Sequence, residues 1–331
     1  MDTDRRCGEA AYWLYQPDVI SGNREKTDYH RKTGAVFLET DHAENAGENI
    51  LHDRGQYADR CSLWTWQSYE SVSGGKQDFR CGKRKRLEEI APNFTIIKSN
   101  FVHLKEQLEA LGVTKVDGIL FDLGVSSPQL DEEERGFSFH KDARLDMRMD
   151  QSQEKDAKLV VNTYSYEELV SIFRTYGEEK FAPRIAKKIV EAREEKEIDS
   201  TLELVELIKQ SVPEKYRREH HPARKVFQAI RIEVNDELHV FEKALEDALE
   251  LLTINGRVCV ITFHSLEDSI CKKIMRKHSE LPTEVKHLPI IPEELEPKYH
   301  YIKTIQPSKE ELEENRRARS AKLRVIERVK E

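Results

Sequence analysis

Asp117-Gly-Ile-Leu-Phe-Asp122-Leu-Gly-Val-Ser-Ser127-Pro-Gln129-Leu-Asp131 decides how this chain folds. Its first half continues from Val116 as an almost unbroken apolar run to Leu123. A strand that is apolar on both faces belongs inside a parallel sheet with helices on either side. Its carboxyl end releases an acid, then small residues, then Ser-Ser-Pro-Gln. Ligands of open α/β sheets sit just outside the carboxyl ends of the strands. Asp122 is therefore a candidate ligand-binding acid. An Asx-type turn that ends a strand with nothing bound is the plain alternative.

Patterns on both sides extend this reading. Phe94–Lys98 is a short β-branched run and predicts a strand. Val102–Leu111 predicts a helix stopped by Gly112, so strand, helix and strand make a βαβ unit. Lys85–Ile90 reads as the end of an earlier helix. Beyond the quoted stretch the period turns helical. Ser165 with Glu168 and Ser200 with Glu203 are capping boxes, and Pro183 suits the opening of a helix. Leu145–Val212 carries no strand signal and predicts an all-helical insertion. Leu238, Phe241, Leu245, Ala248, Leu249 and Leu252 have the spacing of a helix packed on a sheet. Asn255-Gly256 reads as a turn and Arg257–Phe263 as a second buried strand, with Ser265 and Asp268 capping the helix after it. The fold class is α/β with an inserted helical block.

Bulk properties narrow the function. The chain has 331 residues, of which 38% are hydrophobic, with a net charge of −8. A nucleic-acid partner must therefore meet a local basic patch on an acidic protein. The segment Asn315–Lys330 offers one, with seven basic residues against one acidic. Arg316, Arg317, Arg319, Lys322 and Arg324 are its phosphate-binding candidates, although such runs are often only solvated faces. Arg217, Arg218, Arg224 and Lys225 form a second basic cluster around His221-Pro222. Five cysteines without a C-x-x-C predict neither a disulfide framework nor a metal site. No apolar run reaches about 18 residues, and the amino terminus lacks a secretory core. A soluble cytoplasmic protein is expected.

Residues 1–85 differ from the rest. They hold all three tryptophans, three of the five cysteines and eight of the fourteen glycines, without a clear helical or alternating pattern.

From residue 85 onward the chain resembles the MraW/RsmH methyltransferase family. The resemblance rests on Asp117–Asp131, Glu134-Arg-Gly-Phe-Ser-Phe139, Leu145-Asp-Met-Arg-Met-Asp150, Phe227-Gln-Ala-Ile-Arg-Ile-Glu233-Val-Asn235 and Phe263-His-Ser-Leu-Glu-Asp268. The closing run Asn315–Arg324 is similar too. The resemblance implies a Rossmann-like class I methyltransferase core, residues 86–140 and 221–331, with a helical insertion at 141–220. It implies S-adenosyl-L-methionine as cofactor and N4-methylation of a decoding-region cytidine of 16S rRNA in the small ribosomal subunit. The matching cofactor positions are Phe101, Asp122 and Gln129. Ser126, Ser127, Asp146, Arg148 and His264 are the expected catalytic positions. A cytosine amine is a weak nucleophile, so such a site works by positioning and by polar groups that hold the amine while it attacks.

One family feature is absent from the sequence. A loop like Asp-x-Thr-x-Gly-x-Gly-Gly-His-Ser should precede residue 85, because glycines let a cofactor approach the backbone closely. Only Ser73-Gly-Gly75 and Lys76-Gln-Asp78-Phe79 stand there. The expectation is that residues 1–85 derive from a shifted reading frame and that methyl transfer is weak or absent. The alternative function is an inactive RNA- or ribosome-binding relic.

Overall fold

The computed structural model describes residues 35–38, 62–66, 94–97, 99–125, 127–219 and 221–331. The expected helix end at Lys85–Ile90, and Ser126, lie outside the described residues. The chain divides into two compact units, residues 1–124 with 238–331, and residues 125–237. The expected insertion, 141–220, falls inside the second.

The first unit is built on a sheet of β1 (Ala35–Leu38), β2 (Ser62–Trp66), β3 (Phe94–Ile97), β4 (Val116–Asp122), β5 (Leu252–Thr262), β6 (Tyr299–Ile305) and β7 (Lys322–Arg328). The strand order is β3-β1-β2-β4-β5-β7-β6. The first five strands pair in parallel, and β7 and β6 close the edge antiparallel. Two strands thus come from the stretch in which no strand was expected. Ala-Val-Phe-Leu and Ser-Leu-Trp-Thr-Trp are too short for a period to declare itself, and a doubly buried parallel strand need not alternate.

Strand β5 also starts earlier than its sequence suggested. Its pairing with β4 jumps from Val116↔Leu252 to Gly118↔Arg257. The Asn255-Gly256 turn is thereby absorbed as a bulge, with Asn255 at φ 65°. Asn is among the few side chains that tolerate this conformation.

After β3 a single 3₁₀ turn leads into α1 (Leu104–Ala110), and Gly112 at φ 71° ends it as expected. Further on, α9 (Glu237–Leu251) and α10 (Ser265–Ser279) complete the cover of the sheet. Their apolar faces meet Leu104, Leu108, Ile119, Phe121, Val258 and Val260 in one core. Phe121 is its centre, edge-on to Phe101 at 5.8 Å and to Phe241 at 5.9 Å. Such pairs contribute about 1 kcal/mol beyond the area they bury.

The second unit is helical: α2 (Ser127–Asp131), α3 (Ala157–Thr163), α4 (Tyr166–Thr175), α5 (Ala182–Glu195), α6 (Thr201–Ser211), α7 (Glu214–Glu219) and α8 (Ala223–Asn235). Both predicted capping boxes form, at Ser165/Glu168 and Ser200/Glu203. Each satisfies two orphan N–H groups, and losing such a cap costs about 1 kcal/mol. Pro183 stands in the first turn of α5.

Among the described residues, no helix is long and apolar enough to cross a membrane.

Candidate active site and cationic surfaces

In the first unit, the carboxyl ends of β4 and β5 lie side by side. Asp122 is the last residue of β4 and is paired with Ile261 across the ladder. Burial pushes its carboxyl up to about 7, and the neighbouring Glu267 adds to the shift. No cation among the described residues offsets it. Two residues on, Gly124 takes φ 99°, and a Cβ there would meet the Phe263 ring at 3.2 Å. The chain can leave β4 beside Phe263 only with glycine at this point.

The end of β5 is fastened by Glu267. Its carboxylate accepts from the backbone N–H of Phe263 at 2.8 Å and of His264 at 3.3 Å. His264 is itself the N-cap of α10, with its Nδ1 facing the Glu267 N–H and its Nε2 3.1 Å from Glu267 Oε1. This corrects the expected cap, Ser265 with Asp268, by one residue. His264 has the extended φ of −137° that a cap needs, whereas Ser265 is already helical.

Phe101 is only 2% exposed and packs in the core on Phe121. Gln129, in the second unit, is fully buried within α2. Of Ser127, only the backbone is described, at the start of α2.

Asp146 and Arg148 were expected to border a substrate pocket. Within the second unit they tie a backbone knot. Asp146 is 6% exposed and accepts from Arg148 three times, from Nε at 2.9 Å, Nη2 at 2.7 Å and the backbone N–H at 3.0 Å. Arg148 also donates through Nη1 to the carbonyls of Gln151 at 3.1 Å and Gln153 at 2.7 Å. Burial pushes the Asp146 carboxyl up, but the hydrogen bonds and charge of Arg148 more than offset this and hold it low.

Two further sequence motifs close on the same knot. Asn235 donates to Met147 O at 2.8 Å and accepts from Met149 N–H at 2.7 Å. Arg135 reaches the carbonyl of Arg148 at 2.9 Å. Next to it, Gly136 at φ 70° leaves no room for a side chain, because a Cβ would lie 2.5 Å from Arg144 O.

The basic groups fall into two sets. In the second unit, Arg217, Arg218 and Arg224 are exposed, Arg218 pairs with Glu214, and Lys225 donates to Glu178 O at 2.8 Å. Beside them Phe139 stacks on His221 with ring centres 4.4 Å apart.

The basic segment of the first unit is no loose tail. It follows α11 (Lys309–Glu314) and passes through a 3₁₀ turn into strand β7. Arg324 is 9% exposed and bound to Asp268 at 2.7 Å, Tyr301 Oη at 2.8 Å and Thr304 Oγ1 at 3.0 Å. Its Nε and Nη1 donors are thereby engaged within the first unit. Lys322 pairs with the other oxygen of Asp268 at 2.9 Å. Arg317 and Arg319 are exposed, and the side chain of Arg316 lies outside the described residues.

Glu311 of α11 carries a cost to stability. It is 2% exposed and neither carboxyl oxygen has a hydrogen-bond partner among the described residues. Burial pushes it up to about 7. The folded value lies above the unfolded one, so the folded chain takes up a proton between them and loses stability as pH rises through that interval. Glu311→Gln is expected to stabilise the first unit by about 2 kcal/mol at pH 8, with the gain gone at pH 4. Urea denaturation at both pH values reads this directly, and equal midpoints at pH 8 would refute it.

Comparison with known proteins places this geometry. Residues 76–329 match the profile of the MraW methylase family. The ribosomal RNA small subunit methyltransferase H of Exiguobacterium sibiricum is 58% identical over 250 residues, covering 75% of this chain and 80% of that relative. A solved rRNA methylase from Streptococcus thermophilus aligns over 100% of both chains at 10% identity, but its TM-score of 0.36 is too low to carry weight. Matched over most of its length by the family profile and by a close relative, the chain belongs to the MraW methylase family.

Proposed function

We propose that this chain transfers a methyl group from S-adenosyl-L-methionine to the N4 amine of a decoding-region cytidine in 16S rRNA of the small ribosomal subunit. The observation that carries the reading is the 58% identity to a protein named for methylating small-subunit rRNA. The acid at the carboxyl end of β4 supports the cofactor. Asp122 is a half-buried carboxyl without a cationic partner among the described residues, which suits a ligand that brings its own positive charge. The cofactor supplies an electrophilic methyl group on a sulfonium.

The protein's part in the reaction is to position and to hold. Asp122 accepts hydrogen bonds from the cofactor and stays ionised beside its positive charge. Gln129 is a cofactor position by the motif it shares with the family. Glu267 fixes the turn of Phe263 and His264 that borders the site. Polar groups of Ser126 and Ser127 hold the amine hydrogens so that the nitrogen lone pair can turn toward the methyl carbon. Arg217, Arg218, Arg224 and Lys225, with Arg317, Arg319 and Lys322, meet RNA phosphates.

A second reading, an RNA-binding relic without activity, is favoured by the lack of a Gly-x-Gly loop in residues 1–85. One experiment separates the two. Enzyme in excess over small subunits, with methyl-labelled cofactor, is expected to yield N4-methylcytidine on nucleoside analysis. Subunit binding without any labelled cytidine would establish the relic.

A further inference from the structure

A cavity of about 330 Å³ opens in the first unit between the start of α10, the segment after β6 and the approach to β7. It is the volume of about ten water molecules at ~30 Å³ each. Thr262, Ser265, Asp268, Arg319, Ser320 and Lys322 are among its lining residues. Most of them are polar, and their charges do not cancel. Among the described residues, Asp268 is the one acid that lines it, and Arg324 behind it and Lys322 beside it both bind that carboxylate. Among the described residues, three cations, Arg319, Lys322 and Arg324, thus stand against one anion. Arg319 is exposed and makes no ion pair among the described residues. Ser265 and Ser320 line the cavity as well, and α10, whose amino end carries the positive end of its dipole, begins there.

We propose that this cavity binds a backbone phosphate of RNA, with Arg319 and Lys322 as its charge partners and the hydroxyls of Ser265 and Ser320 as donors. The inference rests on the rRNA reading above and adds a defined phosphate subsite to it. Guanidinium forks match phosphate oxygens bidentately, and Lys322, already oriented by Asp268, adds a second charge at little entropic cost. The exposed rim at Ser265, Gln306, Arg319 and Ser320 leaves a polynucleotide room to enter and leave, so a phosphodiester fits better than a small phosphate held in a closed pocket.

The test uses the full chain and a short single-stranded oligoribonucleotide spanning the decoding region. Filter binding is measured from about 50 to 200 mM salt. Arg319→Gln is expected to weaken binding five- to tenfold at low salt and to lower the log–log salt slope by about 0.7, the value for one phosphate on a single strand. Lys272→Gln removes the same charge from the exposed surface of α10 away from the cavity and is expected to change neither quantity. Equal losses in the two variants would mean diffuse attraction and overturn the subsite. So would unchanged binding by Arg319→Gln, even with N4-methylcytidine still produced, which leaves the methyltransferase reading intact. Inorganic phosphate, followed by the chemical shift of ³¹P, distinguishes the source of the phosphate. Saturable binding of it that depends on Arg319, without an effect of Arg319→Gln on RNA, would overturn the assignment to RNA.

Discussion

With saturating S-adenosyl-L-methionine and small ribosomal subunits, this chain is expected to methylate at least about a hundredfold more slowly than a chimera whose residues 1–75 are exchanged for the corresponding segment of the Exiguobacterium sibiricum relative. The reason lies in what a cofactor loop does. A glycine-rich turn brings backbone N–H groups within hydrogen-bond range of the ligand and fixes the methyl carbon against the attacking nitrogen. Misplacing reacting atoms by about 1 Å costs on the order of a hundredfold. The family match begins only at residue 76, and no Gly-x-Gly stands before it. Asp122 at the end of β4 and Glu267, bound to the turn after β5, remain. The chimera should therefore regain cofactor affinity as well as rate. Calorimetry offers the decisive reading: micromolar binding of the cofactor by the unaltered chain would show that residues 1–75 supply the missing contacts in another form. The coding DNA gives an independent check. An alternative frame upstream of Lys85 that encodes a Gly-x-Gly-Gly-His-Ser loop would explain the break, and its absence would end that explanation.

The parts of the molecule that could be read from sequence are those governed by local rules. Ser165/Glu168 and Ser200/Glu203 announce their helices because a capping box is satisfied within four residues. Val116–Asp122 declares itself because seven residues of apolar strand leave little else for the chain to do. What the sequence does not declare depends on tertiary partners. Arg324 looks like any other arginine of a basic run until Asp268, fifty-six residues earlier, is seen to claim it. Nor does the sequence around Phe101, in the turn after β3, announce its ring partner Phe121 on β4. β1 and β2 are held by pairing with each other and with β3 and β4, and no period within four or five residues can report that. His264 was placed at the right edge of the sheet, but its capping role is unusual for histidine and was assigned to the serine beside it.

The assignment of Asp146 shows how a family motif can be structural in its chemistry. Asp146→Ala is expected to destabilise the helical unit by about 3–5 kcal/mol, because it leaves Arg148 half-buried without its counter-charge. Three bonds to Arg148 vanish at once, and the backbone of Leu145–Asp150 loses the group that orders it. Met147 sits there at φ 58°, a conformation costly for a long side chain and held only by its surroundings. Asn235 clamps the carbonyl of Met147 and the N–H of Met149, so the loss should spread to the end of α8. The pH dependence provides a sign. The folded Asp146 carboxyl is held below its unfolded value, so its contribution is present above the ordinary carboxylate range and is lost as pH falls through the folded value. The deficit of Asp146→Ala should therefore be full at pH 7 and shrink toward pH 3. Urea denaturation followed by hydrogen exchange in residues 125–237 measures both. If instead the denaturation midpoint is unchanged while methyl transfer falls a hundredfold or more, Asp146 touches the reacting atoms and the structural account of this motif is wrong.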